Sequence, residues 1–505
     1  MPFCLGLLSV FSFQPFNLSI INFFLLPILF LLMVYVGKKS KSTYRKKPYR
    51  KNFFLIGFTF GFGFYLSGIF WITYSLTFDE NFKILIPFAL ILIPLFLSIF
   101  TGFTTFLAGQ FLTNNFVSLL IFAGSFGLSD FIRGKVLTGF PWNVWGYSWS
   151  WFTEILQPLN LLGLYAFNLL TITIFTIPAI LFCKSTINKK ILVISTTCLF
   201  IFGVYIYGTF TLNKNRDLLN YLENSKKFHV KIISPDFDIK YNSSIQEIEE
   251  KIKKIIRYSD PDTKKNTVFV WPEGVFTGYD FYEISQFNDL IKKNFTENHL
   301  IVFGINTIDK VTGKYFNSLV IIDNNFKLLH QYNKKKLVPF GEFLPFEFFL
   351  NKFGLKKITQ GQGSFLKGDK QGNIVLNDLN ILPLICYEII FPELTQKADR
   401  KTNLILNISE DGWFGDSIGP HQHFAKAIFR SIENNSFLVR SANKGISTII
   451  NNKGEIVKKL NTNEAGSIEM DIPVIKSEYK NKNDLIFFIL LFTYLFIFLI
   501  FKNRK

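Results

Sequence analysis

The sequence predicts a multi-span α-helical membrane bundle, followed by an α/β domain and one C-terminal transmembrane helix. Hydrophobic residues make up 49% of the 505 residues, but they are unevenly spread. Phe, Leu and Ile dominate residues 1–212, whereas residues 213–482 have the composition of a soluble protein, and residues 483–505 return to an apolar stretch with a basic end. Because a chain of this length is expected to hold more than one domain, we divide it at these boundaries.

The apolar part contains a series of segments that are long enough to cross a membrane, which takes about 20 apolar residues. These predicted spans are Leu18–Val36, Phe53–Thr77, Ile84–Leu112, Val117–Phe131, Leu159–Phe182, Ile191–Leu212 and Leu485–Phe501. The stretch Phe3–Phe13 is also apolar but short, and it predicts a tilted or partial span. With this stretch counted, residues 1–212 hold about seven spans.

Basic residues predict the orientation, because loops rich in Lys and Arg remain on the cytoplasmic side. Runs of this kind occupy Lys38–Lys51, Lys184–Lys190 and Lys502–Lys505. If each predicted span crosses the membrane once, all three runs lie on the same side. Residues 213–482 are then expected on the outer, periplasmic face. The net charge of +18 is explained by this topology, so we predict no nucleic-acid partner.

Two basic residues, Arg133 and Lys135, fall on the outer side and run against this rule. They are outnumbered by the basic residues of the three cytoplasmic runs, so the predicted orientation stands. Asp130 and Arg133 are spaced i,i+3 beside an apolar span, and this spacing predicts an ion pair there.

The globular part alternates short apolar, β-branched runs with amphipathic, charged stretches. The predicted strands are residues 228–235, 266–273, 299–307, 317–324, 381–388, 402–409 and 436–443, and the predicted helices are residues 243–259 and 421–433. Apolar strands that alternate with helices are typical of a layered α/β domain with buried sheets.

The chain has four cysteines, of which Cys4, Cys183 and Cys198 lie in or beside apolar spans. Cys386 is the one in the globular part. No Cys-x-x-Cys pair or Cys/His cluster is present, which excludes a disulfide framework and a zinc site. Cys386 is therefore either a small core residue or a nucleophile.

Reactive side chains follow several of the predicted strands. Glu273 lies near the end of "VFVWPEG", Cys386 lies near the end of "LPLICYE", and Lys334 lies in "QYNKKKLVPFGEF". A carboxylate that takes the thiol proton, a thiolate that attacks a carbonyl, and a cation that stabilises the oxyanion are sufficient for acyl transfer. Each residue also has a non-catalytic interpretation. Glu273 fits a solvated turn, and Lys334 lies in a run of three lysines, which is typical of a solvated face.

Neighbouring residues are candidates for supporting parts. Glu342 either orients the lysine or is a loop acid, and Glu388 is either a second acid of the site or a strand-end charge. The N–H of Tyr387, directly after the cysteine, is the expected second oxyanion donor. His421 and His423 are expected to belong to a loop or a helix start and not to a metal site, because no third ligand is nearby. We therefore predict no metal and no cofactor.

The order "WPEG", "YNKKKLVPFGE" and "CYE" resembles the Glu–Lys–Cys triad of the nitrilase (carbon–nitrogen hydrolase) superfamily, over residues 228–472. The resemblance implies an α-β-β-α sandwich, with Glu273 as general base, Lys334 as the lysine and Cys386 as nucleophile. The motifs "LVPFGEFLPF", "DGWFGDSIGPHQH" and "LTGFPWNVWGYSW", together with the order of the domains, are similar to the apolipoprotein N-acyltransferase family.

This second resemblance implies a ping-pong reaction in the bacterial inner membrane. A phospholipid would donate an acyl chain to Cys386 as a thioester, and the diacylglyceryl-cysteine amine of an apolipoprotein would accept it. Trp413 and Phe414 are either a flap over the thioester or ordinary core aromatics. The aromatic stretch Gly139–Trp149 is either an interfacial anchor or part of the substrate route.

Two other functions are compatible with the same residues. One is a membrane-anchored amidase or nitrilase that uses water as the acceptor, which the multiple spans and the longer motifs disfavour. The other is a lipid transporter or assembly scaffold without catalysis, which the intact Glu273, Lys334 and Cys386 disfavour.

Overall fold

The computed structural model describes residues 1–41, 49–241, 243–350, 364–369, 372–376, 379–396, 402–475 and 484–501. The chain divides into two compact units. The first comprises Met1–Thr73, Ile84–Asn213 and Lys480–Lys505, and the second comprises Tyr74–Lys83 and Lys214–Tyr479. The predicted basic tail Lys502–Lys505 and residues 42–48 of the first basic run lie outside the described residues.

The first unit is built from α-helices. They are α1 (Pro2–Leu8), α2 (Asn22–Lys41), α3 (Tyr49–Ile69), α4 (Ile86–Gly109), α5 (Phe116–Lys135), α6 (Thr153–Leu156), α7 (Leu159–Thr176), α8 (Ile187–Tyr221) and, at the C-terminal end, α15 (Leu485–Phe501).

Within the described residues, six helical segments are long and apolar enough to cross a membrane. They are Ser19–Lys39, Arg50–Phe78, Glu80–Gly109, Phe116–Lys135, Leu159–Phe182 and Ile187–Asn224. Each contains most or all of a predicted span, so these six predictions are confirmed. Pro2–Ser12 and Leu485–Phe501 are shorter apolar helices.

Helices α3 and α4 pack closely because small residues line the contact between them. A Cβ atom on Gly57 would lie 2.0 Å from Oγ1 of Thr105, and one on Gly61 would lie 2.0 Å from Oγ1 of Thr101. The Thr105 hydroxyl donates to the carbonyl of Phe53 at 2.8 Å. Small residues and interhelical hydrogen bonds hold apolar helices together where the hydrophobic effect between them is weak.

The predicted ion pair between Asp130 and Arg133 is confirmed, at 2.9 Å and fully inside the first unit. The same guanidinium donates to the carbonyl oxygens of Phe140 and Asn143. Arg133 therefore ties α5 to the aromatic segment that follows it.

The second unit contains the strands. They are β1 (Lys227–Ser234), β2 (Thr267–Val270), β3 (His299–Ile308), β4 (Tyr315–Ile322), β5 (Leu328–Asn333), β6 (Ile374–Leu376), β7 (Leu379–Ile385), β8 (Leu404–Glu410), β9 (Phe437–Asn443), β10 (Ser447–Ile450), β11 (Ile456–Leu460) and β12 (Gly466–Pro473). Its α-helices are α9 (Ile245–Ser259), α10 (Phe281–Ile284), α11 (Asn288–Asn294), α12 (Glu347–Leu350), α13 (Pro392–Gln396) and α14 (Gly419–Asn434).

The described strands form two six-stranded sheets, in the orders β12-β1-β2-β3-β4-β5 and β11-β10-β9-β8-β7-β6. Each sheet has a parallel centre, β1-β2-β3 in one and β7-β8-β9 in the other, with antiparallel strands outside it. The carboxyl ends of the parallel strands bring the loops after β2 and β7 to the edges where the candidate residues lie.

The two sheets pack face to face, and the Ser441 hydroxyl on β9 donates to the carbonyl of Ile233 on β1 at 2.8 Å. Helix α9 covers the first sheet with Ile248, Ile252 and Ile255, which are completely buried among strand residues. Helix α14 is buried along almost its whole length. These layers form the α-β-β-α sandwich that the resemblance implies.

All the predicted strands of this unit are present, as β1, β2, β3, β4, β7, β8 and β9, and the predicted helices are α9 and α14. The sequence did not predict β5, β6, β10, β11 or β12. Strand β11, "IVKKL", has four exposed residues, and β5, "LLHQYN", is half polar. Edge strands of this kind lack the continuous apolar run that marks a buried strand.

Candidate active site

Glu273 follows β2, and the chain before it continues to pair with β3 beyond the regular strand. The Trp271 N–H donates to the Val302 carbonyl at 2.8 Å. Glycine is required at position 304 on β3, because a Cβ there would lie 2.8 Å from the Cα of Glu273. The close approach of the two strands fixes the backbone from which the Glu273 side chain extends.

The Glu273 carboxylate is held by three donors. Its Oε1 accepts from Nδ2 of Asn317 at 2.7 Å and from Nζ of Lys334 at 3.4 Å. Its Oε2 accepts from the backbone N–H of Glu410 at 3.2 Å. Because the residue is 8% exposed, it is a buried acid with a fixed orientation and not a solvated turn residue.

Lys334 comes directly after β5, and its N–H donates to the Asn317 carbonyl at 2.8 Å. The side chain is 1% exposed, and its Nζ donates to Oε1 of Glu342 at 2.8 Å. Burial by itself lowers the pKa of the ammonium, but the carboxylates of Glu273 and Glu342 outweigh it and the pKa is raised. Lys334 is therefore a buried cation and not part of a solvated face.

Glu342 is held in turn by the loop in which it lies. Its Oε2 accepts from the Val338 N–H at 2.9 Å, and its Oε1 accepts from Nδ2 of Asn317 at 2.7 Å as well as from Lys334. Asn317 on β4 therefore bridges the carboxylates of Glu273 and Glu342. Reasoning from the sequence missed Asn317, although an asparagine in the apolar strand "YFNSLVII" is a usable signal, since a buried amide needs partners.

Cys386 is the first residue of a 3-10 turn, Cys386–Ile390, that follows β7. The prediction of a strand through residue 388 was wrong, because β7 ends at Ile385 and the backbone of Cys386 has φ +48°. A left-handed conformation at a residue other than glycine costs on the order of 1–3 kcal/mol, so the surrounding structure must hold it.

The Cys386 thiol is buried and lies within electrostatic reach of the other two residues. Burial raises the pKa of the thiol, Glu273 raises it further, and Lys334 opposes the rise. The pKa of the thiol is raised overall, so Cys386 rests as a protonated thiol. The structure thus brings Glu273, Lys334 and Cys386 together, and their catalytic roles remain predictions.

Glu388 is completely buried and joins the backbone before Cys386 to the backbone after Lys334. Its Oε2 accepts from the Ile385 N–H at 2.9 Å. Its Oε1 accepts from the N–H of Lys335 at 2.6 Å and the N–H of Lys336 at 3.1 Å. The Tyr332 hydroxyl donates to the same carboxylate at 3.0 Å. Glu388 is therefore not a strand-end charge, because it links the chain segments that carry the thiol and the ammonium.

The aromatic candidates lie in different surroundings. The ring of Tyr387 packs against Phe391, with 5.0 Å between centroids. Trp413 packs against Phe78 at 5.1 Å and Tyr241 at 6.2 Å, and both Trp413 and Phe414 are half-buried. A flap made from Trp413 and Phe414 remains a prediction.

A buried polar cluster lies on the carbonyl side of Cys386. The carbonyl of Cys386 is 3.2 Å from Nε2 of His423, whose Nδ1 is 3.0 Å from Oδ1 of Asp411. Arg440 donates to both carboxylate oxygens of Asp411, at 2.9 and 2.7 Å. The Ser409 hydroxyl donates to Oδ1 of Asp411 at 2.6 Å.

Charges inside this cluster shift the pKa values of its members. Although burial raises the pKa of the Asp411 carboxyl, Arg440 and His423 hold it well below its usual range. Burial lowers the pKa of His423 to about 4, because the opposing effect of Asp411 does not compensate for it. Asp411 is thus a carboxylate and His423 a neutral imidazole near pH 7.

The sequence did not predict this cluster. The available signal was the polar residues inside apolar strands, Asn407 and Ser409 in "LILNISE" and Arg440 in "FLVRSAN". A charged side chain on a buried strand requires a buried partner, but the sequence alone does not identify that partner. His421 and His423 lie in the first turns of α14, as predicted for a helix start. Within the described residues, no group of three or more His, Cys, Asp or Glu side chains could hold a metal ion.

Comparisons with known proteins cover both units. Residues 5–177 match the family model described as apolipoprotein N-acyltransferase N-terminal domain, and residues 238–477 match the model described as carbon-nitrogen hydrolase. A protein from Rickettsia prowazekii named apolipoprotein N-acyltransferase is 32% identical, over 97% of this chain and 97% of its own. One of the same name from Rhodopseudomonas palustris is 31% identical, over 93% of this chain and 88% of its own.

Solved structures of nitrilase-superfamily proteins match about half of the chain. Saccharomyces cerevisiae Nit3, described as a member of branch 10 of the nitrilase superfamily, is 18% identical with a TM-score of 0.37. The match covers 49% of this chain and 91% of that chain.

Proposed function

The chain belongs to the apolipoprotein N-acyltransferase family, and from this premise we propose that it transfers an acyl chain from a phospholipid to the diacylglyceryl-cysteine amine of an apolipoprotein. Family membership and the apolar helices indicate a bacterial inner-membrane protein. The observation that carries the proposal is the buried arrangement of Glu273 and Lys334 beside the Cys386 thiol, in a chain that also has the N-terminal domain of this family.

The proposed first half-reaction acylates the enzyme. Glu273 takes the proton of the Cys386 thiol, and Sγ forms a bond to the ester carbonyl carbon of the phospholipid. The carbonyl electrons move onto oxygen, where the Lys334 ammonium and the Tyr387 N–H stabilise the negative charge. When the carbonyl re-forms, the C–O bond to glycerol breaks and Glu273 returns the proton to the departing oxygen. The products are a thioester on Cys386 and a lysophospholipid.

The protonated resting thiol supports a base in this step. A thiol is a poor nucleophile, and only the thiolate attacks efficiently. Because burial and Glu273 both raise the pKa of Cys386, the thiolate forms only as its proton moves to an adjacent group. Lys334, which already bears its proton, cannot accept another, so we assign the role of base to Glu273, whose carboxylate lies within electrostatic reach of the thiol.

The proposed second half-reaction transfers the acyl chain to the amine. The neutral α-amine of the diacylglyceryl-cysteine attacks the thioester carbon, and Glu273 takes one amine proton. The C–S bond breaks, the amide forms, and Glu273 returns the proton to the leaving thiolate. The thioester can react in this way because a thiolate is a better leaving group than the amine that replaces it.

The proposal is tested by intact-mass measurement of the purified protein after incubation with a defined phospholipid. We expect a mass increase of one acyl chain that hydroxylamine removes, and we expect no increase in Cys386→Ser. Cys198→Ser is the matched control, because Cys198 is an exposed thiol on α8 and should leave acylation unchanged. A hydroxylamine-labile adduct in Cys386→Ser would show that another residue is acylated.

The acceptor is identified by adding a diacylglyceryl-cysteine peptide to the acylated enzyme. We expect the adduct mass to disappear and the peptide to gain one acyl chain as an amide. Release of free fatty acid with no acylated peptide would contradict the proposal and favour an amidase-like enzyme that uses water. Failure of every phospholipid to form an adduct would contradict the thioester mechanism itself.

A further inference from the structure

The peptide bond between Cys386 and Tyr387 carries two groups that matter for acyl transfer. Its N–H is the proposed oxyanion donor, and its C=O accepts from the His423 ring at 3.2 Å. In a planar trans peptide the C=O and N–H point in opposite directions. A hydrogen bond that fixes the carbonyl therefore also fixes the direction of the Tyr387 N–H.

His423 is well placed to hold this carbonyl. The ring is completely buried on α14, and the Phe414 ring packs edge-on against it at 5.3 Å between centroids. The Arg440 guanidinium lies 3.1 Å from Nδ1, and Asp411 contacts the same side of the ring. These contacts leave the imidazole no freedom to turn away from Cys386.

The hydrogen on Nε2 is assigned from the group that Nε2 faces. The Cys386 carbonyl can only accept, so Nε2 carries a hydrogen and donates to it. Nδ1 faces both Oδ1 of Asp411 at 3.0 Å, which can only accept, and the Arg440 guanidinium at 3.1 Å, which can only donate. The neutral ring with its hydrogen on Nε2 leaves Nδ1 to accept from Arg440, which itself donates to Asp411. The side chain of His423 is thus a hydrogen-bond donor to the backbone of the nucleophile.

We propose that His423 is a positioning residue for acyl transfer, which holds the Cys386 carbonyl so that the Tyr387 N–H is fixed towards the oxyanion. The inference rests on the proposed function, because it assumes that Cys386 attacks a carbonyl group. Asp411 and Arg440 act one step further away by holding the ring. His423 does not contact the substrate. It acts by fixing the orientation of the peptide plane between Cys386 and Tyr387.

Two physical effects make this contact useful. Cys386 has a left-handed backbone, and without support its peptide could rotate towards an ordinary conformation that turns the N–H away. A hydrogen bond to the carbonyl also polarises the peptide, which makes its N–H a stronger donor. Loss of one preorganised oxyanion donor typically slows a reaction by about 100-fold to 1,000-fold.

The test compares two reactions of the same thiol in the full-length protein. A p-nitrophenyl ester acylates Cys386 through an oxyanion and releases p-nitrophenolate, whereas iodoacetamide alkylates the thiol at a saturated carbon and forms no oxyanion. We expect His423→Leu to slow the ester reaction by about 100-fold and to change alkylation by less than about threefold. His423→Gln keeps an amide donor near the Nε2 position and should restore the ester rate to within about tenfold of the wild type.

Other outcomes would overturn the inference. Equal slowing of acylation and alkylation in His423→Leu would mean that His423 maintains access to the thiol or its ionisation. A glutamine variant as slow as the leucine variant would mean that the donor is irrelevant. If His423→Leu is not recovered folded, His423→Met fills the same site with a flexible apolar side chain and the same comparison applies.

The ester probe also separates this inference from the proposed function. Wild-type protein that reacts with the ester but with no phospholipid would contradict the proposed donor, and the comparison of variants would still decide the part played by His423. An ester that leaves Cys386 unmodified while iodoacetamide alkylates it would overturn the inference, since no oxyanion would form there.

Discussion

At the scale of single residues, the Cys386 backbone is supported from both sides. Glu388 accepts from the Ile385 N–H just before the cysteine, and His423 faces the Cys386 carbonyl just after it. Between these contacts the chain adopts φ +48°, which most residues avoid. The strained conformation is therefore maintained by buried side chains that come from different parts of the chain.

Glu388→Gln is predicted to weaken both the fold and the reaction. In glutamine an NH2 group replaces one carboxylate oxygen, and this group donates hydrogen bonds but does not accept them. A buried backbone N–H that donates to Glu388 therefore loses its partner. Leaving such a group unsatisfied costs about 1–3 kcal/mol. The midpoint of thermal unfolding in detergent and the rate of acylation of Cys386 should both fall.

Glu393→Gln is the matched control for this substitution. Glu393 pairs with Lys336 at 3.1 Å in a partly exposed position of the same region. Pairs of this kind contribute about 0–1 kcal/mol, so the unfolding midpoint and the acylation rate should change little. Equal effects of the two substitutions would contradict the linking role of Glu388.

The buried His423 predicts a dependence of stability on pH. Its pKa is lowered from 6.5 to about 4, chiefly by burial, with Arg440 and Lys426 acting in the same direction and Asp411 against them. As the pH falls through 6.5, the unfolded chain binds a proton that the folded chain does not bind until about pH 4. The free energy of unfolding should therefore fall between these two values.

This contribution is measured as a difference between the wild type and His423→Gln, which cannot titrate. From pH 7.5 to pH 4.5 the wild type should lose about 2.5 kcal/mol more of its free energy of unfolding than the variant loses. Chemical denaturation in detergent at several pH values provides the comparison. Parallel curves for the two proteins would mean that folding leaves the pKa of His423 unshifted, and a wild type that gains stability relative to the variant on acidification would mean that the folded ring is already protonated near pH 7.

At the scale of secondary structure, the site is assembled from loops at the ends of strands in both sheets. Glu273 follows β2 and Lys334 follows β5 in the first sheet, whereas Cys386 follows β7 in the second. Strands β2 and β7 and the reactive residues after them could be predicted from the sequence, because buried strands have a recognisable composition, whereas the half-polar β5 before Lys334 could not. The contacts of Asn317 and Glu388 could not be predicted, because they depend on which strands become neighbours.

Gly304→Ala tests how closely β3 must approach the chain before Glu273. The new methyl group would lie 2.8 Å from the Cα of Glu273 and 3.0 Å from Cδ1 of Ile408, so the backbone that carries the carboxylate must shift. A displacement of about 1 Å at a reacting group can cost about 100-fold in rate. We expect the rate of acylation of Cys386 to fall by that order, measured well below the unfolding midpoint.

Gly372→Ala is the control for this change. It lies in the same unit, and a Cβ there would have no heavy atom within 4 Å. Its acylation rate and unfolding midpoint should match those of the wild type. A Gly304→Ala protein that retains full activity would show that Glu273 tolerates displacement, which would weaken its proposed role as the base.

At the scale of the whole molecule, the distribution of basic residues is consistent with one membrane orientation once the partners of Arg133 and Lys135 are known. Arg133 and Lys135 oppose the predicted orientation, but Arg133 is paired inside the first unit with Asp130. Lys135 lies 3.4 Å from Asp484 and near the rings of Phe131 and Tyr165. Neither residue belongs to a free basic loop of the kind that sets topology. The remaining basic runs then predict a single orientation.

This orientation predicts which introduced cysteines a membrane-impermeant maleimide can reach in intact cells. Val311 is 91% exposed in the loop between β3 and β4, and Val311→Cys should react without permeabilisation. Lys189 is exposed in the second basic run, and Lys189→Cys should react only after the inner membrane is opened. Both are made with Cys4, Cys183 and Cys198 replaced by serine, and the unmodified Cys386 background measures reaction at the buried thiol. The reverse pattern would place the α/β unit in the cytoplasm, where the amine of a translocated lipoprotein could not reach the thioester.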